Sequence, residues 1–148
     1  MSGITLVVED EGWRSHRGLQ TRLKLAAEAA RKAARLKGDM TILLSSDKRL
    51  RVLNHDFRGK DKPTNVLSFP GANGYAGDIA IAYGVTSEEA REANKKFIDH
   101  AVHLVVHGVL HLAGHDHERP KDAKVMEPLE VKILARLGIA DPYAAQPR

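Results

Sequence analysis

The stretch HGVLHLAGHDH, residues 107–117, carries the strongest structural signal in the chain. His107 and His111 are four residues apart, so a helix places both imidazoles on one face. Gly114 follows them, and a glycine after a helix permits a left-handed turn that folds the chain back. His117 can then approach the same point. The spacing therefore predicts a three-histidine metal site on a helix of the C-terminal half and the turn that follows it.

Three neutral histidines with an open fourth position are typical of a catalytic zinc site, whereas a structural site is closed by a fourth protein ligand. The spacing matches the metzincin motif HExxHxxGxxH, but Gly108 stands where those peptidases carry a glutamate base. We therefore expect one Zn²⁺ per chain, bound by His107, His111 and His117, without the peptidase base. His115 is an alternative third ligand, and only backbone geometry decides between it and His117.

The choice of ligands needs argument because six of the eight histidines lie between residues 100 and 117. His103, His107 and His111 form one i, i+4 stripe, and any adjacent pair could bind a metal. For His100 and His103 we favour a packing role, with the rings bonded to backbone carbonyls. Asp116 is equally consistent with orienting a ligand histidine and with capping a turn.

The composition indicates one domain in a reducing compartment. The chain has 148 residues, no cysteine and a formal net charge of +4. This length can bury a core without disulfides, and the lack of cysteine excludes a thiolate nucleophile. No apolar run reaches membrane-spanning length, and the first residues lack the pattern of a signal peptide. We therefore expect a cytoplasmic protein with no membrane partner.

Strand and helix patterns mix without a strict βαβ rhythm. Strands are expected over 4–8, 40–44, 66–69 and 78–83, and helices near 19–34, 47–57, 86–94, from 99 onward and over 121–137. Phe57 is expected on the inward face of its helix, Thr86 and Glu89 match a capping box, and Pro128 is expected to kink or restart the last helix. These patterns predict an α+β domain with a small mixed sheet of about four strands packed with helices.

A second informative segment is LNHDFRGKDKPTNVLSFP, residues 53–70. Arg58 can bind two phosphate oxygens at once, and opposite a metal it would stabilise the charge that develops on a phosphorane. Lys60 and Lys62 fit a solvated loop as well as an RNA contact. Arg51 and its basic neighbours on the preceding helix extend the basic surface toward a nucleic-acid backbone. No RNP-type aromatic motif is present, so the sequence shows no base-specific readout.

Four stretches together resemble the YbeY family, which comprises bacterial endoribonucleases and ribosomal RNA maturation factors. The matching segments, in the family's order and separation, are residues 53–70, 77–82, 102–117 and 137–143. The resemblance implies one metal-dependent endoribonuclease domain over residues 1–148. It implies metal ligands at His107, His111 and His117, with Arg58 and His107 as catalytic residues.

The same resemblance implies single-stranded RNA as substrate and a role in small-subunit ribosomal RNA maturation and ribosome quality control. The implied partners are ribosomal RNA and the ribosome or its proteins. Two positions depart from the family pattern: Asn65, where aspartate is usual, and His115, where tyrosine is usual. Asn65 removes a carboxylate from the loop after Arg58, and His115 adds a potential ligand beside His117.

Two other functions remain open on the sequence. A zinc peptidase or amidase shares the ligand spacing, but Gly108 leaves it without a base. A non-catalytic ribosome-binding factor would use the metal only to hold the C-terminal helix in place, although a three-ligand site argues against this.

Overall fold

A computed structural model describes residues 3–115 and 120–143. Its strands are β1 Ile4–Val8, β2 Asp39–Ser45, β3 Val66–Pro70 and β4 Tyr75–Ala82. Its helices are α1 Leu19–Ala33, α2 Asp47–Arg58, α3 Tyr83–Glu92, α4 Phe97–Leu112 and α5 Pro120–Arg136, with a short 3₁₀ turn at Glu11–Ser15. Together they form a single α+β domain, as the sequence predicts. Within the described ranges, no helix has the length and apolar character needed to cross a membrane.

The four strands form one mixed sheet in the order β1-β2-β4-β3. The β1–β2 and β2–β4 pairs are parallel, and β3 runs antiparallel to β4 at the edge. The prediction of a small mixed sheet of about four strands is therefore confirmed. Its edge strand β3 follows directly from the basic loop after α2.

Helices cover both faces of the sheet. Alternating residues of β2 such as Ile42 and Leu44 are buried in the larger core, which α1, α4 and α5 complete. On the opposite face, Leu50 and Leu53 of α2 pack against Leu67 of β3 and small residues of β4. The sheet thus holds α4 on one side and α2 on the other, and both helices end near β3.

Two local expectations are wrong, and a third is wrong in part. Phe57 is 68% exposed, because the last turn of α2 lies over the sheet edge, where its ring contacts Phe69. Thr86 does not cap α3: β4 passes directly into a helix that begins at Tyr83, and the buried Thr86 hydroxyl donates to the Ala82 carbonyl at 2.6 Å. Pro128 lies inside α5, which is continuous from Pro120 to Arg136, so the helix does not restart at this proline.

Candidate metal centre and active-site cleft

Helix α4 carries the histidine stripe on the border of its buried face. Its apolar positions are buried against the sheet and α1, while His103, His107 and His111 remain partly exposed on the cleft side. The helix ends in a Schellman turn, in which the Gly114 N–H donates to the His111 carbonyl and the His115 N–H donates to the Leu110 carbonyl, both at 3.0 Å. Gly114 has φ +97°, so the predicted glycine turn is confirmed.

Gly108 is required by the packing of α4 on the sheet. A Cβ at this position would lie 2.9 Å from Ile79 Cγ2 and 3.3 Å from Ser68 Oγ. The Ser68 hydroxyl also donates to the Gly108 carbonyl at 3.0 Å, which ties the helix to β3. Position 108 therefore faces the sheet, and a glutamate there has no room to act as a base in the cleft.

His107 and His111 direct the same ring nitrogen toward each other. Their Nε2 atoms are 3.1 Å apart and their ring centroids 4.6 Å apart. Two nitrogens bound tetrahedrally to Zn²⁺ at 2.0–2.1 Å would lie about 3.3 Å apart. The two rings therefore fit a shared ion with little movement. His115 lines the same cleft, whereas His117 and Asp116 lie outside the described residues.

A carboxylate on α5 supports the histidines from behind. Glu130 is fully buried, and its Oε2 accepts from His103 Nε2 at 3.2 Å and from His107 Nδ1 at 2.9 Å. Its Oε1 accepts from the Tyr143 hydroxyl at 2.6 Å. Burial alone would raise the pKa of Glu130, but these hydrogen bonds outweigh it and lower the pKa to about 2. Glu130 is therefore a carboxylate throughout the physiological pH range.

Two overlapping sets of ligand atoms follow from this geometry. Within the described residues, His103, His107 and Glu130 form a candidate metal-binding triad whose ligand atoms lie within 4.8 Å of one another. The second set uses the facing Nε2 atoms of His107 and His111. A carboxylate that accepts from His107 Nδ1 leaves a lone pair on Nε2, and this is the arrangement typical of histidine ligands to zinc. Glu130 then orients His107 rather than binding the ion.

The histidines line a cleft of about 820 Å³ between α4, β3 and the loop after α2. Arg58, the last residue of α2, lines the same cleft as the histidine stripe. Gly59 ends the helix with φ +69°, and the buried Asn54 amide donates to the Lys62 carbonyl at 3.1 Å, which holds the loop. The cleft therefore combines a histidine cluster with an arginine at the end of α2, next to a loop that the Asn54 amide holds.

The other predicted RNA-binding cations lie outside the described lining of the cleft. Lys60 and Lys62 are exposed on the loop that follows Arg58. Arg51 is also exposed, and its Nε lies 2.8 Å from the Asp61 carboxylate. The two lysines add positive charge to the loop after Arg58, and none of the three side chains joins the histidine cluster.

Asn65 and His100 meet at a second carboxylate on the cleft wall. The Asn65 amide donates to Glu89 Oε1 at 3.0 Å, and His100 Nε2 lies 2.8 Å from the same oxygen. Burial raises the pKa of Glu89, but the hydrogen bonds from His100 and Asn65 together lower the pKa by more than burial raises it, so the net shift is downward. An aspartate at position 65 would repel Glu89, so the amide suits this surrounding. His100 and His103 thus bond to carboxylates, and the expected backbone carbonyl partners are wrong.

The sequence analysis missed Glu130, Tyr143 and Glu89 as residues of the site. Glu130 had a detectable signal, because it falls on the same helical stripe as the buried Met126, Ile133 and Leu134. A lone carboxylate on a buried stripe requires a partner. Tyr143 and Glu89 had no comparable signal, since they reach the cleft through tertiary folding.

Comparison with known proteins places this site in a family. The family model described as endoribonuclease YbeY matches residues 9–138. A protein named endoribonuclease YbeY from Chelativorans sp. (strain BNC1) is 52% identical over 86% of this chain and 83% of its own. Its namesake from Maricaulis maris (strain MCS10) is 45% identical over 97% of this chain and 92% of its own.

A solved structure supports the same fold. The solution structure of TM1509 from Thermotoga maritima is similar to this chain, with a TM-score of 0.61 and 27% sequence identity. The match covers 96% of this chain and 99% of that one. The family model and the full-length relatives show that this chain belongs to the YbeY endoribonuclease family.

Proposed function

We propose that the protein is a zinc-dependent endoribonuclease that cleaves single-stranded RNA. One Zn²⁺ would be bound by His107, His111 and His117, and Arg58 would act on the scissile phosphate. The observation that carries this proposal is the approach of the His107 and His111 Nε2 atoms to 3.1 Å in a cleft that Arg58 also lines. RNA as the substrate is supported by the family, whose relatives are named endoribonucleases.

The zinc ion would supply Lewis-acid polarisation of a phosphoryl oxygen and activation of water. The Arg58 guanidinium would bind the non-bridging phosphate oxygens and stabilise the charge that they gain in the transition state. Glu130 would hold the proton of His107 on Nδ1, so that Nε2 remains available as a ligand. Lys60, Lys62 and Arg51 would attract the flanking strand through its phosphates.

Peptide hydrolysis is the weaker alternative because of the surroundings of Gly108. Peptidases of this ligand spacing use a glutamate next to the first histidine as the base. Here that position faces Ile79 on the sheet, and a Cβ would already be 2.9 Å from the isoleucine. The histidine cluster therefore lacks the group that peptide hydrolysis requires at this position.

In the cell, we propose a cytoplasmic role in the maturation of small-subunit ribosomal RNA and in ribosome quality control. The proposed partners are ribosomal RNA and the ribosome or its proteins. The family to which the chain belongs and its net charge of +4 both support a nucleic-acid partner.

The proposal is tested by incubating the metal-loaded protein with unstructured RNA, DNA of the same sequence and a peptide panel. We expect RNA to be cut, and peptides to remain intact. RNA binding should weaken with salt, with a log–log slope of about −0.7 per phosphate contacted. Metal-dependent peptide cleavage that His111→Ala abolishes, with RNA left intact, would establish the peptidase instead.

The ligand assignment is tested separately by metal analysis of purified variants. His107→Ala and His111→Ala should lose the zinc, whereas His103→Ala should retain most of it. His117→Ala and His115→Ala form the matched pair that identifies the third ligand, and we expect only His117→Ala to lose the ion. An empty His103→Ala beside a full His111→Ala would favour the triad that contains Glu130.

A further inference from the structure

An aromatic pair lies beside the cleft, across the edge strand β3. The rings of Phe57 and Phe69 have centroids 5.4 Å apart and an interplanar angle of 66°. Ser68 and Pro70, on either side of Phe69, line the cleft, as does Arg58, the neighbour of Phe57. Side chains alternate between the two faces of a strand, so the Phe69 ring lies on the opposite face of β3 from Ser68. One edge strand therefore separates the rings from the cleft.

The Phe57 ring contributes little to the hydrophobic core. It is 68% exposed, more than any other large hydrophobic side chain in the described part of the chain. Phe69 is partly buried against the small core beneath α2 and supports the Phe57 ring on one side. An aromatic ring that is held by a second ring and otherwise open to water is suited to receive a flat, apolar ligand.

The charge around the ring identifies the class of ligand. Residues 47–62 contain six lysines and arginines but only three aspartates, in a chain whose formal net charge is +4. The surrounding surface is therefore basic, which favours an anionic partner over an apolar peptide. Single-stranded RNA combines anionic phosphates with flat bases, and proteins bind it through basic grooves and aromatic rings.

We propose that Phe57, supported by Phe69, stacks on an RNA base next to the phosphate that Arg58 binds. This inference rests on the proposed endoribonuclease function and adds a base-stacking subsite outside the cleft. Every base has a flat face, so this subsite tolerates any sequence and requires an unpaired base. It would favour single strands over duplexes, whose bases are stacked on each other.

The test combines variants of the full-length protein with RNA that lacks single bases. The probe is a labelled unstructured RNA, together with a series in which one base at a time is replaced by an abasic ribose. Dissociation constants are measured by fluorescence anisotropy with a chelator present, and KM and kcat with zinc. The variants are Phe57→Leu, which removes the ring, and Phe57→Trp, which keeps one. Val52→Ala is the matched control, an exposed apolar residue on the same helix.

We expect Phe57→Leu to weaken RNA binding about ten-fold, the size of one base–aromatic stack. KM should rise by a similar factor while kcat changes little, in contrast to loss of Arg58. The wild type should be sensitive to an abasic residue at one position, and Phe57→Leu should lose that sensitivity. Phe57→Trp and Val52→Ala should behave as the wild type. Thermal melts confirm that each variant is folded.

Three results would overturn the inference, and they are distinguishable. If the wild type cuts RNA but Phe57→Leu keeps its affinity and abasic profile, the subsite is refuted and the proposed function stands. If Phe57→Leu in addition loses association with purified ribosomal proteins, the exposed ring serves a protein contact. If the wild type neither binds nor cuts RNA, the proposed function itself falls, and the subsite with it.

Discussion

Replacing Glu130 by glutamine removes the charge of a fully buried side chain and nearly preserves its shape. The carboxylate accepts hydrogen bonds from Tyr143, His103 and His107. A glutamine has one acceptor oxygen and an amide group that donates. If the oxygen stays with Tyr143, the amide faces the two histidines. His107 Nδ1 must then accept, so its proton moves to Nε2, the nitrogen that faces His111 at 3.1 Å.

This tautomer change should weaken zinc binding by a predictable amount. A protonated Nε2 cannot bind a metal, and partners that orient a ligand histidine are worth about 10–100-fold in affinity. The expected loss is about 1.4–2.7 kcal/mol of binding free energy.

The assay is competition for zinc against a chromophoric chelator, with histidine tautomers read by ¹⁵N NMR. Tyr143→Phe is the matched control, because it removes one donor to Glu130 but leaves the carboxylate facing His107. It should retain the Nδ1–H tautomer and most of the zinc affinity. Unchanged zinc affinity in Glu130→Gln would refute the reasoning. Complete loss of zinc in both Glu130→Gln and His103→Ala would instead make Glu130 a direct ligand.

Three further predictions concern the cleft and its support. Arg58→Ala should keep its metal and its Tm, but its kcat should fall about ten-fold or more, because the guanidinium is proposed to act on charge that grows toward the transition state. A raised KM with an unchanged kcat would show instead that Arg58 only positions the RNA. The pKa of Glu130 is about 2 in the fold against 4.5 for an ordinary glutamate, so its stabilisation, about 3 kcal/mol, is present above pH 4.5 and lost as the pH falls to 2. Acid unfolding of Glu130→Gln should lack this component, and identical acid profiles would contradict the assignment. Gly108→Ala should lower the free energy of unfolding by about 1 kcal/mol, because overpacking against Ile79 outweighs the gain in helix propensity. An unchanged Tm would show that the Ile79 side chain moves to accommodate the added methyl group.

The parts of the site that are local in sequence could be predicted. The four-residue spacing of His107 and His111 and the glycine turn at Gly114 depend only on helix geometry, and both are present. The sheet could be predicted because its strands are short apolar runs that turn-forming residues separate. Arg58 was predicted from its chemistry within a turn-rich loop, and the structure brings it to the cleft.

The parts that depend on tertiary contacts could not be predicted. Glu130 and Tyr143 come from α5 and the segment after it, and no local pattern shows that they meet His107. Phe57 has the periodicity of an inward residue, but the helix ends over an edge strand, so the ring stays exposed. Glu89 matched a capping box, yet α3 begins earlier because β4 leads straight into it.

The position of α4 on the sheet explains why the histidine spacing does not make a peptidase here. In peptidases with this spacing, the residue next to the first histidine carries the glutamate base. Here His107 faces the cleft, and position 108 faces Ile79. A glutamate side chain at position 108 would force α4 away from β4, which would break the Ser68 contact with Gly108. The same close packing that excludes the base fixes His107 and His111 in the cleft that Arg58 also lines, where we propose that these groups act on a phosphate.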